Sequence, residues 1–265
     1  MRYRTWLLRL KRNKPKNSIL LHLVSAPARR VRRLLVEKKL SNLQSLEDRF
    51  TLIYNRNLWS SKESVSGSGS TLAMTESIRS LLPVIIEDYD IESILDAPCG
   101  DFSWMSHVNL QGVRYLGVDI VMPLIVDLQK KYASEGISFM CLDITKDSLP
   151  KSDLVITRDC LFHLSYQDIL STLNNFIDSG SKYFLTTSYD NQGEFRNVDI
   201  FSGGFRLIDL FSSPFEFPST FKFQIREPSE GRLPPRSLFL WDRGQVNVAY
   251  RNLEFFLIEQ QGKNF

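Results

Sequence analysis

Cysteine and histidine are both scarce in this chain of 265 residues, with three of each. The cysteines, Cys99, Cys141 and Cys160, are odd in number and form no CxxC pair, and there is no HExxH. A disulfide framework and a metal centre are therefore not expected, and a reducing, cytoplasmic setting is. Long apolar runs are missing as well. The stretch Ile19 to Val24 is interrupted by His22 and falls far short of the ~20 residues that span a bilayer. A secretory signal would need a longer apolar core and fewer arginines behind it. Glycine is sparse where a dinucleotide-binding turn would need it, and the chain has no GxGxxG. That speaks against a nicotinamide-dependent oxidoreductase, because several glycines are what let a backbone approach a pyrophosphate.

Acid is almost absent from the start. Residues 1–40 hold thirteen Lys or Arg against Glu37 alone, whereas the remainder carries twenty basic and 29 acidic residues. The chain divides accordingly into a basic N-terminal extension, 1–40, and a mildly acidic domain, 41–265, on which no nucleic-acid footprint is expected. Hydrophobic residues at 43% are enough to build a sizeable core. From Val31 onward the apolar positions Val36, Leu40, Leu43, Leu46, Phe50 and Ile53 recur at helical spacing and predict one amphipathic helix. Its stripe either packs on the domain or, with the arginines before it, meets an anionic membrane surface as a peripheral anchor.

After the Ser/Gly-rich stretch from Trp59 to Thr71, a helix is expected from Thr71 or Thr75 to near Pro83. Strands and helices then alternate. Strands are expected at 93–97, 113–120, 137–142, 153–157 and 182–188, with helices near Trp104, at 123–133 and at 166–177. This alternation implies an α/β fold with a parallel sheet and right-handed crossovers. The segments 221–226 and 237–242 read as an antiparallel pair at the sheet edge.

Three of the strands end in aspartate, at Asp96, Asp119 and Asp143, with nearly equal spacing. In an open α/β sheet these positions lie at the carboxyl edge, where ligands bind. A carboxylate at the second strand end can accept two hydrogen bonds from a ribose diol. Helix caps are the plainer use of such acids. The first turn, SILDAPCGDFSWM (residues 93–105), holds Gly100 but places Pro98 and Phe102 where further glycines would fall.

This stretch resembles the first motif of class I S-adenosylmethionine-dependent methyltransferases in its Pro-Cys-Gly form. The stretches IYNRNLWSSKESVSGSGS, TESIRSLLP, GGFRLIDLFSSPFEFP and RSLFLW resemble one uncharacterised family of them with a DAPCGD first motif, over about residues 50–242. The resemblance implies a Rossmann-like seven-stranded sheet in the order 3-2-1-4-5-7-6, mostly parallel, with the last strand antiparallel. It implies S-adenosylmethionine as cofactor, contacted by Asp96, Pro98, Cys99, Gly100, Asp101, Asp119, Ile120, Asp143, Ile144 and Arg158. In DLVITRDCLFHL, His163 and Asp159 are the candidates for proton handling, although a histidine between Phe162 and Leu164 also suits a core, and Arg158 with Asp159 could be a local ion pair. Beyond the fifth strand, Arg206, Arg232, Arg236 and Trp241 are the candidates for holding an acceptor. An aromatic wall with guanidinium groups would suit a small molecule or glycan carrying an anionic handle, and the same residues could instead be core phenylalanines and surface arginines. The Ser/Gly stretch reads as a mobile cover over the site or as a linker. The implied activity is methyl transfer to an oxygen or nitrogen acceptor. The alternative is a non-catalytic binding module of the same fold that docks on a membrane or nucleic acid through its basic start.

Overall fold

The computed structural model describes residues 36, 38–59, 61–228 and 233–263. The expectations placed on residues 1–35 and on Arg232 lie outside the described residues. From Leu40 onward the chain forms one compact unit.

The expected amphipathic helix is two pieces. Residues 38–41 are helical, the chain then turns, and α1 (Leu46–Asn55) starts afresh. Ser45 causes the restart: its side chain accepts the Asp48 amide at 3.0 Å, satisfying a donor that a continuous helix would have used internally. Helix α2 (Glu76–Asp88) begins where expected but runs through Pro83. Proline inside a helix costs about 3 kcal/mol. Ile78, Leu82 and Ile85 are each fully buried on one face, and at about 1.5–3 kcal/mol per side chain this burial outweighs the defect.

The remaining elements are β1 (Ser93–Asp96), β2 (Arg114–Asp119), α3 (Met122–Tyr132), β3 (Ile137–Cys141), β4 (Leu154–Thr157), α4 (Tyr166–Ser179), β5 (Tyr183–Tyr189), β6 (Phe223–Arg226), β7 (Arg236–Asp242) and α5 (Arg243–Gly262). They build one seven-stranded sheet in the order β3-β2-β1-β4-β5-β7-β6, as expected. β1 to β5 are mutually parallel, and β7 runs antiparallel to both β5 and β6. Alternate side chains feed two cores, one on each face of the sheet. Leu95, Val155, Phe184 and Trp241 lie in one core, and Ile94, Leu154, Ile156 and Leu240 in the other.

Two corrections matter for the site. No helix follows β1; only the short turn Met105–His107 is helical. Phe102, Trp104, Met105 and Val108 are all buried, anchoring this stretch to the core without a regular helix. Phe102 occupies the left-handed region at φ 56° with its ring packed on Tyr115, Tyr132 and Phe139, each at 5.1 Å, so core packing takes the place of a glycine there. The second correction is Trp241, which is not an acceptor wall. It is fully buried, donates Nε1–H to the Pro218 carbonyl at 2.9 Å and packs on Phe217 and Phe239. The closing helix α5, absent from the sequence-based expectation, is fixed by a capping box in which Asp242 accepts the Gln245 amide and Gln245 accepts that of Asp242. Among the described residues, no helix is long and apolar enough to cross a membrane.

Candidate functional site

The carboxyl ends of β1 to β4 open into one pocket with a cavity volume of about 90 Å³. Asp119, at the end of β2, forms part of its wall. One carboxylate oxygen accepts the Val121 amide at 3.0 Å and the other the Gly100 amide at 3.3 Å. Burial pushes its carboxyl up to about 6, against the pull of the Val121, Gly100 and Ile120 amides. Each oxygen retains a lone pair beyond its amide bond. Asp143 also lines the pocket, with Oδ1 accepting the amide and hydroxyl of Thr145 at 2.9 and 2.7 Å and Oδ2 beside Lys146 at 3.3 Å. Ile120, Val121, Leu124, Leu142 and Ile144 supply apolar surface between the two acids.

Pro98 and Gly100 face the same pocket. Gly100 sits at φ +55°, and a Cβ there would fall 2.2 Å from the Ser66 hydroxyl oxygen. Only glycine permits both the turn and the approach of the Ser66 segment. Asp101 points elsewhere: it accepts the Val65 amide at 2.9 Å and the Ser103 amide at 3.2 Å, tying that segment to the β1 turn. Cys99 is buried, and burial drives its thiol well above its ordinary range.

Asp96 is beneath the pocket rather than in its wall. It is 2% exposed and accepts the Tyr115 hydroxyl at 2.7 Å. Desolvation pushes its carboxyl up to about 7, although Tyr115 and Arg158 oppose the rise. An acid whose folded value is raised holds its proton more tightly in the native state. Its contribution to stability is therefore present at low pH and lost as pH rises through about 7. Asp96→Asn, which keeps an acceptor for Tyr115, should raise the melting temperature more at pH 8 than at about pH 5 when both proteins are scanned calorimetrically. A larger gain at the acid end would contradict a raised Asp96.

At the end of β4 the chain turns sharply, with Asp159 at φ 54°. Asp159 lines the pocket, and Thr187 holds it by donating its hydroxyl to Oδ1 at 3.1 Å and accepting its amide at 2.9 Å. Arg158 does not line the pocket. It is buried behind it, donating Nε–H to Glu227 at 2.8 Å and Nη2–H to the Gly69 carbonyl at 2.7 Å. Arg236 joins the same cluster through Glu227 at 2.9 Å and Asp159 at 3.1 Å, so it too is turned away from any acceptor. Arg206 corrects a further expectation. Its Nη1 donates to the Leu164 carbonyl at 2.6 Å, and its guanidinium lies over Tyr166. It props the turn that carries His163 instead of facing the pocket.

His163 is half-buried and lines the pocket. Its Nδ1 lies 2.6 Å from the Gly204 carbonyl oxygen, and a carbonyl can only accept, so Nδ1 carries the proton and Nε2 the lone pair. Burial lowers its pKa, with Gly204 and Asp159 opposing, which keeps the ring neutral. Trp59 stacks on it at 5.4 Å between centroids. Trp59, with Leu46, Phe50 and Tyr54 of α1, forms a wall that the sequence reading left unassigned. Leu46 and Phe50 belong to the apolar stripe, read as packing on the domain or as a membrane contact, and nothing in the sequence marked Tyr54 or Trp59 as pocket wall. Glu227 was missed because nothing in its local sequence marks it. The 61–75 segment is neither a linker nor loose. Ser66 accepts the Asp101 amide at 3.0 Å, Glu63 accepts that of Leu72 at 2.6 Å, and the Gly69 carbonyl is held by Arg158.

No protein-family model and no curated protein sequence matches this chain. Solved structures do. Magnesium protoporphyrin IX methyltransferase from Synechocystis PCC 6803, solved with bound S-adenosylhomocysteine, superposes with a TM-score of 0.52 at 12% identity, covering 80% of this chain and 99% of that one. The 1,6-didemethyltoxoflavin-N1-methyltransferase of Burkholderia thailandensis, solved with bound 1,6-didemethyltoxoflavin and S-adenosylhomocysteine, gives 0.53 at 17%, covering 83% and 91%. At these identities the likeness establishes the fold alone, a Rossmann-like α/β sheet shared with these two enzymes.

Proposed function

We propose that this chain is an enzyme that transfers a methyl group from S-adenosylmethionine to an oxygen or nitrogen of a small-molecule acceptor. The observation that carries this reading is the pocket wall made by Asp119 and Asp143, two strand-end carboxylates with apolar surface between them, beside the Gly100 turn. The residues fit the cofactor. Asp119 has lone pairs left for a ribose diol, and Ile120, Leu142 and Ile144 offer a slot for a flat base beside the Gly100 turn. Bound there, S-adenosylmethionine supplies an electrophilic sulfonium methyl, so the protein's part is to orient the acceptor, exclude water and take up a proton. His163 presents a neutral ring whose Nε2 is free to accept that proton, and Asp159 adds a carboxylate at the same end of the pocket. Trp59, Phe50 and Tyr54 suit an acceptor with an apolar face. An anionic handle loses its support, because Arg206 and Arg236 are committed elsewhere and no Lys or Arg lines the pocket among the described residues.

Calorimetric titration with S-adenosylhomocysteine and, separately, NAD tests the reading. Binding of the first alone is expected, and binding of NAD alone would overturn it. Gly100→Ala should weaken S-adenosylhomocysteine by about tenfold or more, since the new Cβ collides with Ser66 and strains the turn. Wild-type affinity in that variant would show that the close approach is dispensable. For the basic extension, 1–40, the role we propose is an anionic membrane contact. Deleting residues 1–30 should abolish salt-sensitive adsorption to phosphatidylserine vesicles and leave S-adenosylhomocysteine affinity unchanged. Equal adsorption by the truncated protein would remove that role.

A further inference from the structure

Behind the pocket lies a four-membered ionic cluster drawn from three strand ends. Arg158 and Asp159 follow β4, Glu227 follows β6, and Arg236 opens β7. The Glu227 side chain is wholly buried and spans the two guanidinium groups, accepting from Arg158 Nε at 2.8 Å on one oxygen and from Arg236 Nε at 2.9 Å on the other. Both arginines then reach one oxygen of Asp159, Arg158 Nη1 at 3.3 Å and Arg236 Nη2 at 3.1 Å. Two cations thus meet two anions, with no net charge left buried. Burial works against the charge of each arginine, but Asp159 and Glu227 outweigh it and both pKa values are raised.

The cluster has two outlets. One is Asp159 itself, which lines the pocket with a backbone in the left-handed region. A non-glycine residue persists there only when its surroundings hold it. The other is the third prong of Arg158, Nη2, which donates to the Gly69 carbonyl of the segment lying over the β1 turn. The fit is close at that seam, because a Cβ on Gly69 would lie 2.8 Å from Asp159 Oδ2 and 3.0 Å from Arg236 Nη2. A single carboxylate outside the pocket lining therefore sets both a pocket acid and the cover.

We propose that Glu227 is a positioning residue. By holding Arg158 and Arg236 together it fixes Asp159 at the pocket wall and clamps the 61–75 segment over the bound cofactor. This rests on the methyl-transfer reading above, and it assigns the cover a specific anchor. Without Glu227 the two guanidinium groups share one carboxylate, and Arg158 loses the bond that aims Nη2 at Gly69. Arg158→Lys keeps the charge but cannot serve Glu227 and Gly69 at once, so it should release the cover as well.

The test uses the full chain with S-adenosylhomocysteine as probe, measuring its affinity and dissociation rate together with amide hydrogen exchange. In Glu227→Gln and Arg158→Lys, dissociation should quicken by about tenfold, with exchange rising in residues 61–75 ahead of the sheet. Gly69→Ala alters no charge and should give the same pattern by displacing the seam, so the idea survives a failure of the charged-site variants to fold. Wild-type dissociation and wild-type protection of 61–75 in all variants that fold would overturn it. So would exchange that rises evenly through the domain with dissociation unchanged, because that describes structural support alone. If the wild-type chain does not bind S-adenosylhomocysteine, the methyl-transfer reading fails. Exchange of 61–75 in the ligand-free variants still decides whether Glu227 anchors the cover.

Discussion

Asp119→Ala is expected to cost S-adenosylhomocysteine about 10²- to 10⁴-fold in affinity, while the chain still folds. The magnitude follows from two hydrogen bonds to a carboxylate, each worth roughly 1.5–3 kcal/mol where the acceptor is charged and shielded from water. Asp119 is 8% exposed and already ordered by the Gly100 and Val121 amides, so little entropy is spent in aiming it. Asp119→Asn should be nearly as harmful. An amide side chain can accept from only one of those backbone donors and turns its own N–H toward the other. The sign of the pH effect follows from the raised carboxyl, near 6. Below that value the acid is protonated and loses an acceptor, so wild-type affinity should fall between pH 8 and about pH 5, and the alanine variant should be flat. Calorimetry at the two pH values, with circular dichroism to confirm folding, measures both. Unchanged affinity in Asp119→Ala would remove this residue from the ribose role.

The strands and the acids at their ends were legible because each rests on short-range pattern, whereas the order of the strands came from the family resemblance alone. Apolar strands stop at Asp96, Asp119 and Asp143, and a parallel sheet puts such ends on one edge whatever the rest of the chain does. What the pattern could not show is which way each acid turns. Asp96 and Asp119 look alike in sequence, yet Tyr115, nineteen residues on, captures Asp96 beneath the pocket while two amides hold Asp119 in its wall. The ion pair between Arg158 and Asp159, one of the readings of that segment, is present at 3.3 Å, but the other arginine contacts were hidden for the same reason. Their partners are distant in sequence: Glu227 for Arg158, Asp159 for Arg236, and the Leu164 carbonyl for Arg206. The α1 stripe was seen as packing on the domain or as a membrane contact but not as pocket wall, whereas Ile53 is core and Phe50 with Tyr54 lines the pocket. Pro83 misled because its cost is local, whereas the burial of Ile78, Leu82 and Ile85 is tertiary.

His163→Ala is expected to lower methyl transfer by about 10²- to 10⁴-fold, the usual contribution of a positioned base, with S-adenosylhomocysteine affinity retained. The tautomer makes the case. Because Nδ1 is spent on Gly204, the lone pair is on Nε2, and because burial lowers the pKa the base stays unprotonated below the ordinary imidazole range. The acid limb of kcat/KM should therefore lie below the value of a free histidine, about 6.5, rather than at it. Two other roles are separable. If the ring only anchors the turn, His163→Asn, whose side-chain amide can still donate to the Gly204 carbonyl, should restore turnover. If it only supports Trp59, a phenylalanine should do the same. A base is replaced by neither. Transfer of a tritiated methyl group from S-adenosylmethionine, followed across pH for the wild type and the three variants, distinguishes the cases. Full activity in His163→Asn or His163→Phe would end the assignment of His163 as the base.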